Sequence, residues 1–367
     1  MVTSERSDAH SGSVVVEAGG RLMPPVRVGI IGWGRVGRLR AQLVHDHPAL
    51  QLTAAYDPDP AAVPDGAVRA ASRDEVLANC DAVFVCTSND ATADAVVAAL
   101  EAGRHVFCEK PPGRSLAEVR RMRDAAARAP DLRVKFGFNH RYHEGILDAL
   151  ALVQGGRFGR IMWLRGVYGK AGGPGFEKAW RNRRESAGGG ILLDQGIHMV
   201  DLFRLFGGDF DEVKSFVGTS FWPIEVEDNA FAIMRNRHNQ VAMLHSSSTH
   251  WKHQFLLEIF LSEGYLAVSG ILSGSASYGR ETLITARRQV DSSDGTLGRP
   301  REEMTYYDDD LSWQKEVADF VDCIQQERPV TVGTLDDAYK SMELVFRIYD
   351  ADPSWSAHRA TLEGGRL

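Results

Sequence analysis

Residues 26–37 read VRVGIIGWGRVG, an apolar run of strand length that breaks into three glycines at Gly32, Gly34 and Gly37 and then into a helical stretch. A strand that turns at once into a helix uses glycine in three ways. The first permits a tight turn, the second lets backbone approach a pyrophosphate, and the third lets helix pack on strand. Taken alone the pattern is weak, because 36 glycines in 367 residues would produce it by chance in about a third of such chains. Its setting carries it. Asp57 closes the next apolar run, 20 residues beyond Gly37, where a carboxylate accepts from ribose hydroxyls and repels a 2′-phosphate. No Arg or Lys follows it closely, so NAD is expected and NADP is the less favoured cofactor. The expected cofactor loop is therefore Gly32, Trp33, Gly34, Arg35, Val36 and Gly37, with Asp57 beyond it.

Outward from this turn, short apolar runs alternate with helix-length segments as far as residue 138: VRVGII, LQLTAAY, AVFVC, HVFC and RVKFGF. Such alternation predicts a parallel sheet with crossover helices. Pro48 closes the first helix, Gly103 follows the end of the helix that begins near Ala91, and Ser115 with Glu118 is expected to form a capping box. After about residue 150 strands follow one another with few helices between: IMWLRGVY, EVKSFVG, NAFAIMRN, VAMLHSSS, FLLEIFLS and GYLAVSG. That run predicts a large, mostly antiparallel sheet. The expected architecture is α/β plus α+β: a mobile tail over 1–25, a Rossmann dinucleotide-binding lobe over 26–145, and a substrate-binding and oligomerisation lobe over 146–367. Two late helices complete it, one with Trp313, Val317, Phe320, Val321 and Ile324 on a single face and one capped by Thr334 and Asp337. The stretch 275–300 reads as a loop or ragged hairpin.

Composition bounds the function. A net charge of −7 without a long basic run argues against a nucleic-acid partner. No apolar stretch in the sequence approaches a bilayer span, and residues 1–25 lack the apolar core of a signal peptide. The four cysteines, at 80, 86, 108 and 323, form no CxxC pair and suit a reducing cytoplasm.

Two further stretches carry chemistry. Glu109-Lys110-Pro111 follows the run HVFC, and ligands of an open parallel sheet bind beyond the carboxyl ends of its strands. Alone, it would read as a solvated Lys-Pro turn. In 188–198, GGGILLDQGIH, a glycine turn enters a helix, with Asp194 and His198 four apart on one face and Asp201 a turn further on. Histidine can take a proton as hydride leaves, and the carboxylate can raise its basicity or grip a neighbouring hydroxyl. A structural Asp–His pair is the bland alternative. A metal pair is the other, but no third ligand stands at suitable spacing, so no metal is expected.

The set GWGRVG, Asp57, CTSND, ALEAGRHVFCEKPP, GFNHRYHE and GGGILLDQGIHMVDLF, in this order, resembles the Gfo/Idh/MocA family of oxidoreductases over about residues 26–350. The resemblance implies an NAD(P)-binding Rossmann lobe, a second lobe whose open sheet forms a homodimer or homotetramer, and an active site between them. It assigns Lys110, Asp194 and His198 as catalytic, and adds Thr87, Asn89, Glu109 and Lys110 to the cofactor contacts. Asn139, Arg141, Trp180 and Arg181 are expected to line the substrate cleft. The implied reaction is reversible oxidation of a secondary hydroxyl on a sugar, nucleotide sugar or cyclitol. Redox-neutral glycoside cleavage and a catalytically silent NAD-binding sensor are the competing readings. The sequence departs from the family twice. Thr87-Ser88-Asn89-Asp90-Ala91-Thr92 stands where T-P-N-x-x-H is usual, and Pro112 follows Lys110-Pro111 in place of a small aliphatic residue.

Overall fold

The opening apolar run forms β1 (Val26–Ile31), buried at every position except Arg27. The computed structural model describes residues 23–63, 68–289 and 299–364; the expected tail, up to residue 22, and the tip of the expected 275–300 loop, at 290–298, lie outside them. β1 pairs in parallel with β2 (Leu50–Tyr56) and β3 (Ala82–Val85), and β4 (His105–Cys108) and β5 (Val134–Phe136) extend the sheet. The strand order is β2-β1-β3-β4-β5, so the connection reverses direction at β1, and the crevice beyond the carboxyl ends of β1 and β3 is where such sheets take their ligands. The crossovers are α1 (Arg35–Asp46), α2 (Arg73–Ala78), α3 (Asn89–Glu101) and α4 (Leu116–Ala127).

The helix signals are met at most ends. Gly103 has φ +73° directly after α3, and His47 and Pro48 terminate α1. Ser115 accepts from the amide of Glu118, but the box does not close on Ser115. The Glu118 carboxylate reaches one residue further back, taking the Arg114 amide at 2.6 Å and the Arg114 guanidinium at 2.7 Å.

The second sheet contains β6 (Ile161–Ala171), β7 (Glu212–Gly218), β8 (Asn229–Arg235), β9 (Val241–Ser247), β10 (Thr249–Leu261), β11 (Gly264–Ser269), β12 (Glu281–Arg287) and β13 (Glu302–Tyr307) in the order β13-β12-β11-β10-β6-β9-β8-β7. Only β6 and β9 run parallel among these neighbours. The expected loop after residue 275 holds a regular strand: β12 pairs with β13 from Glu281↔Tyr307 to Ala286↔Glu302. Along β8, Ala230, Ala232 and Met234 face inward, whereas Phe231 and Ile233 face out. α5 (Glu144–Gln154) comes between the two sheets in sequence, and α6 (Arg184–Ala187) and α7 (Ile197–Gly207) come between β6 and β7. α7 lies so close on β6 that a Cβ at Gly166 would run into Met199 and Phe203. Helices α8 (Ser312–Gln325), α9 (Leu335–Asp350) and α10 (Pro353–Gly364) end the chain.

α8 departs from the two-lobe division. Its face of Val317, Phe320 and Val321 packs on Ile30, Phe84 and Phe107 of the first sheet, so a late helix completes the core of the early lobe. Helical periodicity shows that a face must be buried, not which sheet will bury it. Polar ties reinforce the join: the fully buried Lys135 of β5 donates to Asp319 of α8 at 2.7 Å and to the Val332 carbonyl at 2.6 Å. Arg40 of α1, with no exposed side-chain surface, bridges Glu109 and Glu316, each at 2.7 Å. Its guanidinium lies over the rings of Phe107 and Trp313.

Burial, aided by the neighbouring Glu109 and opposed by Arg40, pushes Glu316 up to about 7 from an ordinary 4.5. The folded form thus holds this proton more tightly than the unfolded chain. The resulting stability is fully present below about pH 4.5 and is lost as pH rises through about 7. Glu316→Gln should flatten that part of the stability curve, read from urea midpoints across the window. Arg40→Met, which leaves the buried Glu316 and the part-buried Glu109 facing each other without a counter-charge, should destabilise the fold by about 3–5 kcal/mol.

Candidate active site

At the end of β1 the chain turns through Gly32, which has φ +94°. A Cβ on Gly37 would strike the Gly32 carbonyl, whereas a Cβ on Gly34 would meet nothing within 4 Å. Two of the glycines thus serve packing and the middle one borders open space. No side chain caps the start of α1, and Arg35 and Val36 open its first turn without an acidic residue. This end suits an anion. Asp57, at the end of β2, accepts the Trp33 amide at 2.7 Å and the Asp59 amide at 3.0 Å. The Trp33 side chain itself packs into the core.

Beyond β4, Glu109 is held by Arg40 Nε at 2.7 Å, and Lys110 next to it points into the gap between the sheets. Lys110 Nζ donates to the Asp194 carbonyl oxygen at 2.6 Å and lies 3.5 Å from its carboxylate. Asp194 belongs to a π-helical turn, Leu192–Gly196, that runs into α7. The turn is anchored by Glu227, a buried carboxylate accepting from the amides of Gly190 (2.8 Å) and Leu192 (2.9 Å) and from the Tyr349 hydroxyl (2.7 Å). Its backbone approaches so closely that a Cβ at Gly190 would collide with the Glu227 carbonyl.

The π-turn changes the expected relation between Asp194 and His198. The two do not form a pair on a regular helical face. The Asp194 carboxylate instead meets Lys170 Nζ at 3.3 Å, Lys110 at 3.5 Å and Arg181 at 3.6 Å. Burial alone would raise its pKa, but Lys110, Lys170 and Arg181 overrule burial and hold it well below the carboxylate range. So charged a surrounding disfavours a divalent cation there. His198, 3% exposed, stacks on His140 with ring centroids 3.7 Å apart and planes 15° apart. Burial first, then Lys110 and His143, pushes the His198 pKa well below 6.5. His140 is lowered in the same way, by burial, His198, His143 and Lys110. Both rings are neutral near neutral pH. Burial also lowers the Lys110 ammonium from 10.5, against the pull of Asp194.

The remaining expected residues divide. Trp180 and Arg181 belong to the site: Arg181 lies over the Trp180 ring and points at Asp194. Asn139 and Arg141 do not line the cleft. Arg141 is buried on Asp201 (2.7 and 2.6 Å) and Asp337 (3.0 Å), which turns Asp201 away from Asp194 and into an ion pair. Asn139 is committed to Ser312 and His140. The Asn89 amide group donates to the Ala187 carbonyl at 2.8 Å, tying α3 to the glycine turn, and Thr87 meets Thr92 at 3.1 Å between hydroxyl oxygens.

Comparison with known proteins fits this geometry. Residues 26–138 match the profile described as an oxidoreductase family with an NAD-binding Rossmann fold, and residues 146–267 match the GFO/IDH/MocA C-terminal domain. The chain belongs to the Gfo/Idh/MocA family. Among curated relatives, levoglucosan dehydrogenase of Pseudarthrobacter phenanthrenivorans is 32% identical over 37% of this chain and 35% of its own length. Inositol 2-dehydrogenase of Rhizobium meliloti is 30% identical over 50% of this chain and 56% of its own. The chain thus spans between a third and three fifths of these relatives. A solved structure of levoglucosan dehydrogenase in complex with NADH shares the fold, with a TM-score of 0.78 at 21% identity over 90% of this chain and 98% of that one.

Where the family pattern has a histidine after the third strand, Thr92 instead joins its hydroxyl to Thr87 and to the Ser88 carbonyl. Three neighbours of the site escaped the sequence reading: His140, Lys170 and Glu227. Only Lys170 left a signal, since it continues the inward register of Leu164, Gly166 and Tyr168 on β6, an odd place for a cation. Gly190→Ala should destabilise the protein by about 1–3 kcal/mol or more through overpacking against Glu227, measured by denaturant unfolding.

Proposed function

We propose that the protein is an NAD-dependent dehydrogenase that reversibly oxidises a secondary hydroxyl of a sugar, nucleotide sugar or cyclitol to a ketone. The observation that carries this reading is the meeting of Lys110 and Asp194 beyond the strand ends where the Gly34 turn opens, with His198 buried against His140 within reach of the Lys110 charge. The glycine-turn backbone would hold the pyrophosphate and Asp57 the ribose, which favours NAD over NADP. When bound, the nicotinamide accepts the hydride. The protein's own groups manage the proton and the orientation. Asp194, kept ionised by three cations, is too weak a base to take the proton and serves as an acceptor that grips substrate hydroxyls. Lys110, its charged form disfavoured by burial, takes the hydroxyl proton. His198, a neutral imidazole, hydrogen-bonds the same oxygen and shares the proton as the carbonyl forms.

The outer face of the second sheet supports assembly. Phe216 is 80% exposed and Phe231 and Ile233 lie beside it, an apolar surface that a second copy would cover. Four free cysteines are consistent with a reducing cytoplasm. Among the described residues, no helix is long and apolar enough to cross a membrane.

Mixing the protein with NAD and a panel of inositols, free sugars and nucleotide sugars, and following NADH absorbance, tests the activity; no NADH from any of them would reject it. On an active alcohol, Lys110→Met and His198→Ala should each slow single-turnover hydride transfer by about 10² or more. Oxidation should speed up as pH rises, with a midpoint below the ordinary lysine value of 10.5, and Lys110→Met should abolish that rise. Gly34→Ala should leave apo stability within about 0.5 kcal/mol yet weaken NADH binding at least about tenfold, read by fluorescence titration.

A further inference from the structure

A line of aromatic rings leads away from Asp194 to the surface. Lys170, whose Nζ is 3.3 Å from the Asp194 carboxylate, lies 5.9 Å from the centre of the Phe176 ring. Phe176 is 4.9 Å from Trp222, Trp222 is 5.1 Å from Phe221, and Phe221 is 5.0 Å from Trp251. The last two rings, 61% and 62% exposed, stand at 77° to each other and form an open corner. Exposed rings on a loose loop would mean little. These are fixed. Asp228, fully buried, accepts the amides of Ser220 (2.7 Å), Phe221 (2.7 Å) and Trp222 (3.0 Å) and the Asn229 side chain (3.1 Å). Trp222 Nε1 donates to the Ser248 carbonyl at 3.0 Å, and the chain just after β6 passes so close beneath that a Cβ at Gly172 would run into the Trp222 ring.

Burying a carboxylate costs free energy unless its oxygens are satisfied, and here that satisfaction is supplied by the loop that presents the rings. A corner ordered in advance loses little entropy on binding. Its continuity with Lys170 and Asp194 says what should occupy it: something covalently attached to the group that reacts. We infer that the corner of Phe221, Trp222 and Trp251 is a subsite for a second pyranose ring, so that the preferred substrate is a glycoside of two or more rings. This rests on the dehydrogenase reading above. The C–H face of a pyranose is apolar and lies on aromatic rings, while its hydroxyls at the rim meet Lys170 and the half-exposed Arg181.

The test compares one-ring and two-ring compounds on the full chain with NAD. Free hexoses are assayed for NADH formation beside disaccharides built from the same hexoses. The best disaccharide should exceed its own parent hexose in kcat/KM by about tenfold or more, and Trp251→Ala and Phe221→Ala should collapse that ratio through KM rather than kcat. A ratio near one, or one that survives both substitutions, overturns the inference and leaves the dehydrogenase reading standing. Conversion of an oligomer to monomers by Trp251→Ala, with the ratio intact, would assign the corner to a contact between copies and equally overturn it. Absence of NADH from every compound, with NADH binding retained, would remove the dehydrogenase reading and the inference together.

Discussion

A single guanidinium sets the geometry on which the candidate site depends. Arg40 has no contact with water, and an ion withdrawn that far costs several kcal/mol unless charge and hydrogen bonds are returned to it. Glu109, Glu316 and the faces of Phe107 and Trp313 return them. Each partner comes from a different part of the chain. Arg40 belongs to the helix that the glycine turn begins, Glu109 precedes Lys110 at the end of β4, and Glu316 lies on a helix contributed some 200 residues later. Fixing these three pieces to one cation fixes the distance between the open turn at Gly34 and the amine of Lys110. A reaction between a cofactor on one and a substrate on the other tolerates little slack in that distance.

The charges across the gap are arranged with the same economy. Asp194 receives three cations and stays ionised, while His140 and His198, stacked and buried, stay neutral. Groups whose environments push their proton affinities apart divide acid, base and anchor among themselves. Lys110 touches both sets. Its amine bonds the Asp194 carbonyl, and its positive charge helps to keep both imidazoles unprotonated.

Much of this was legible in the sequence, and the reasons for the exceptions are physical. Strands of the first sheet were readable because each is a short apolar run bounded by a helix, and the three glycine, lysine and aspartate–histidine stretches were readable because each is contiguous. The resemblance places Arg141 in the cleft, whereas it is buried on Asp201 and Asp337, 60 and 196 residues away, and nothing local announces a buried ion pair. Nothing local marks His140, because its partner in the site, His198, is a ring stacked from another helix. The destination of α8 was hidden for a similar reason: an amphipathic face is compatible with either sheet. Local spacing also misjudged Asp194 and His198, because counting by fours presumes an α-helix where the backbone takes a wider turn.

That wider turn contains one residue more than an α-helical turn would, and extra residues of this kind are common at functional positions. Its presence makes the site sensitive to chain length as well as to side-chain identity. Losing one residue between 192 and 196 would let the helix relax to regular winding and rotate whatever precedes the gap by about 100° about the axis. Asp194 would swing out from among Lys110, Lys170 and Arg181, while His198 kept its stack on His140. A three-nucleotide deletion within this turn would therefore part Asp194 from its three cations and leave the dinucleotide lobe intact.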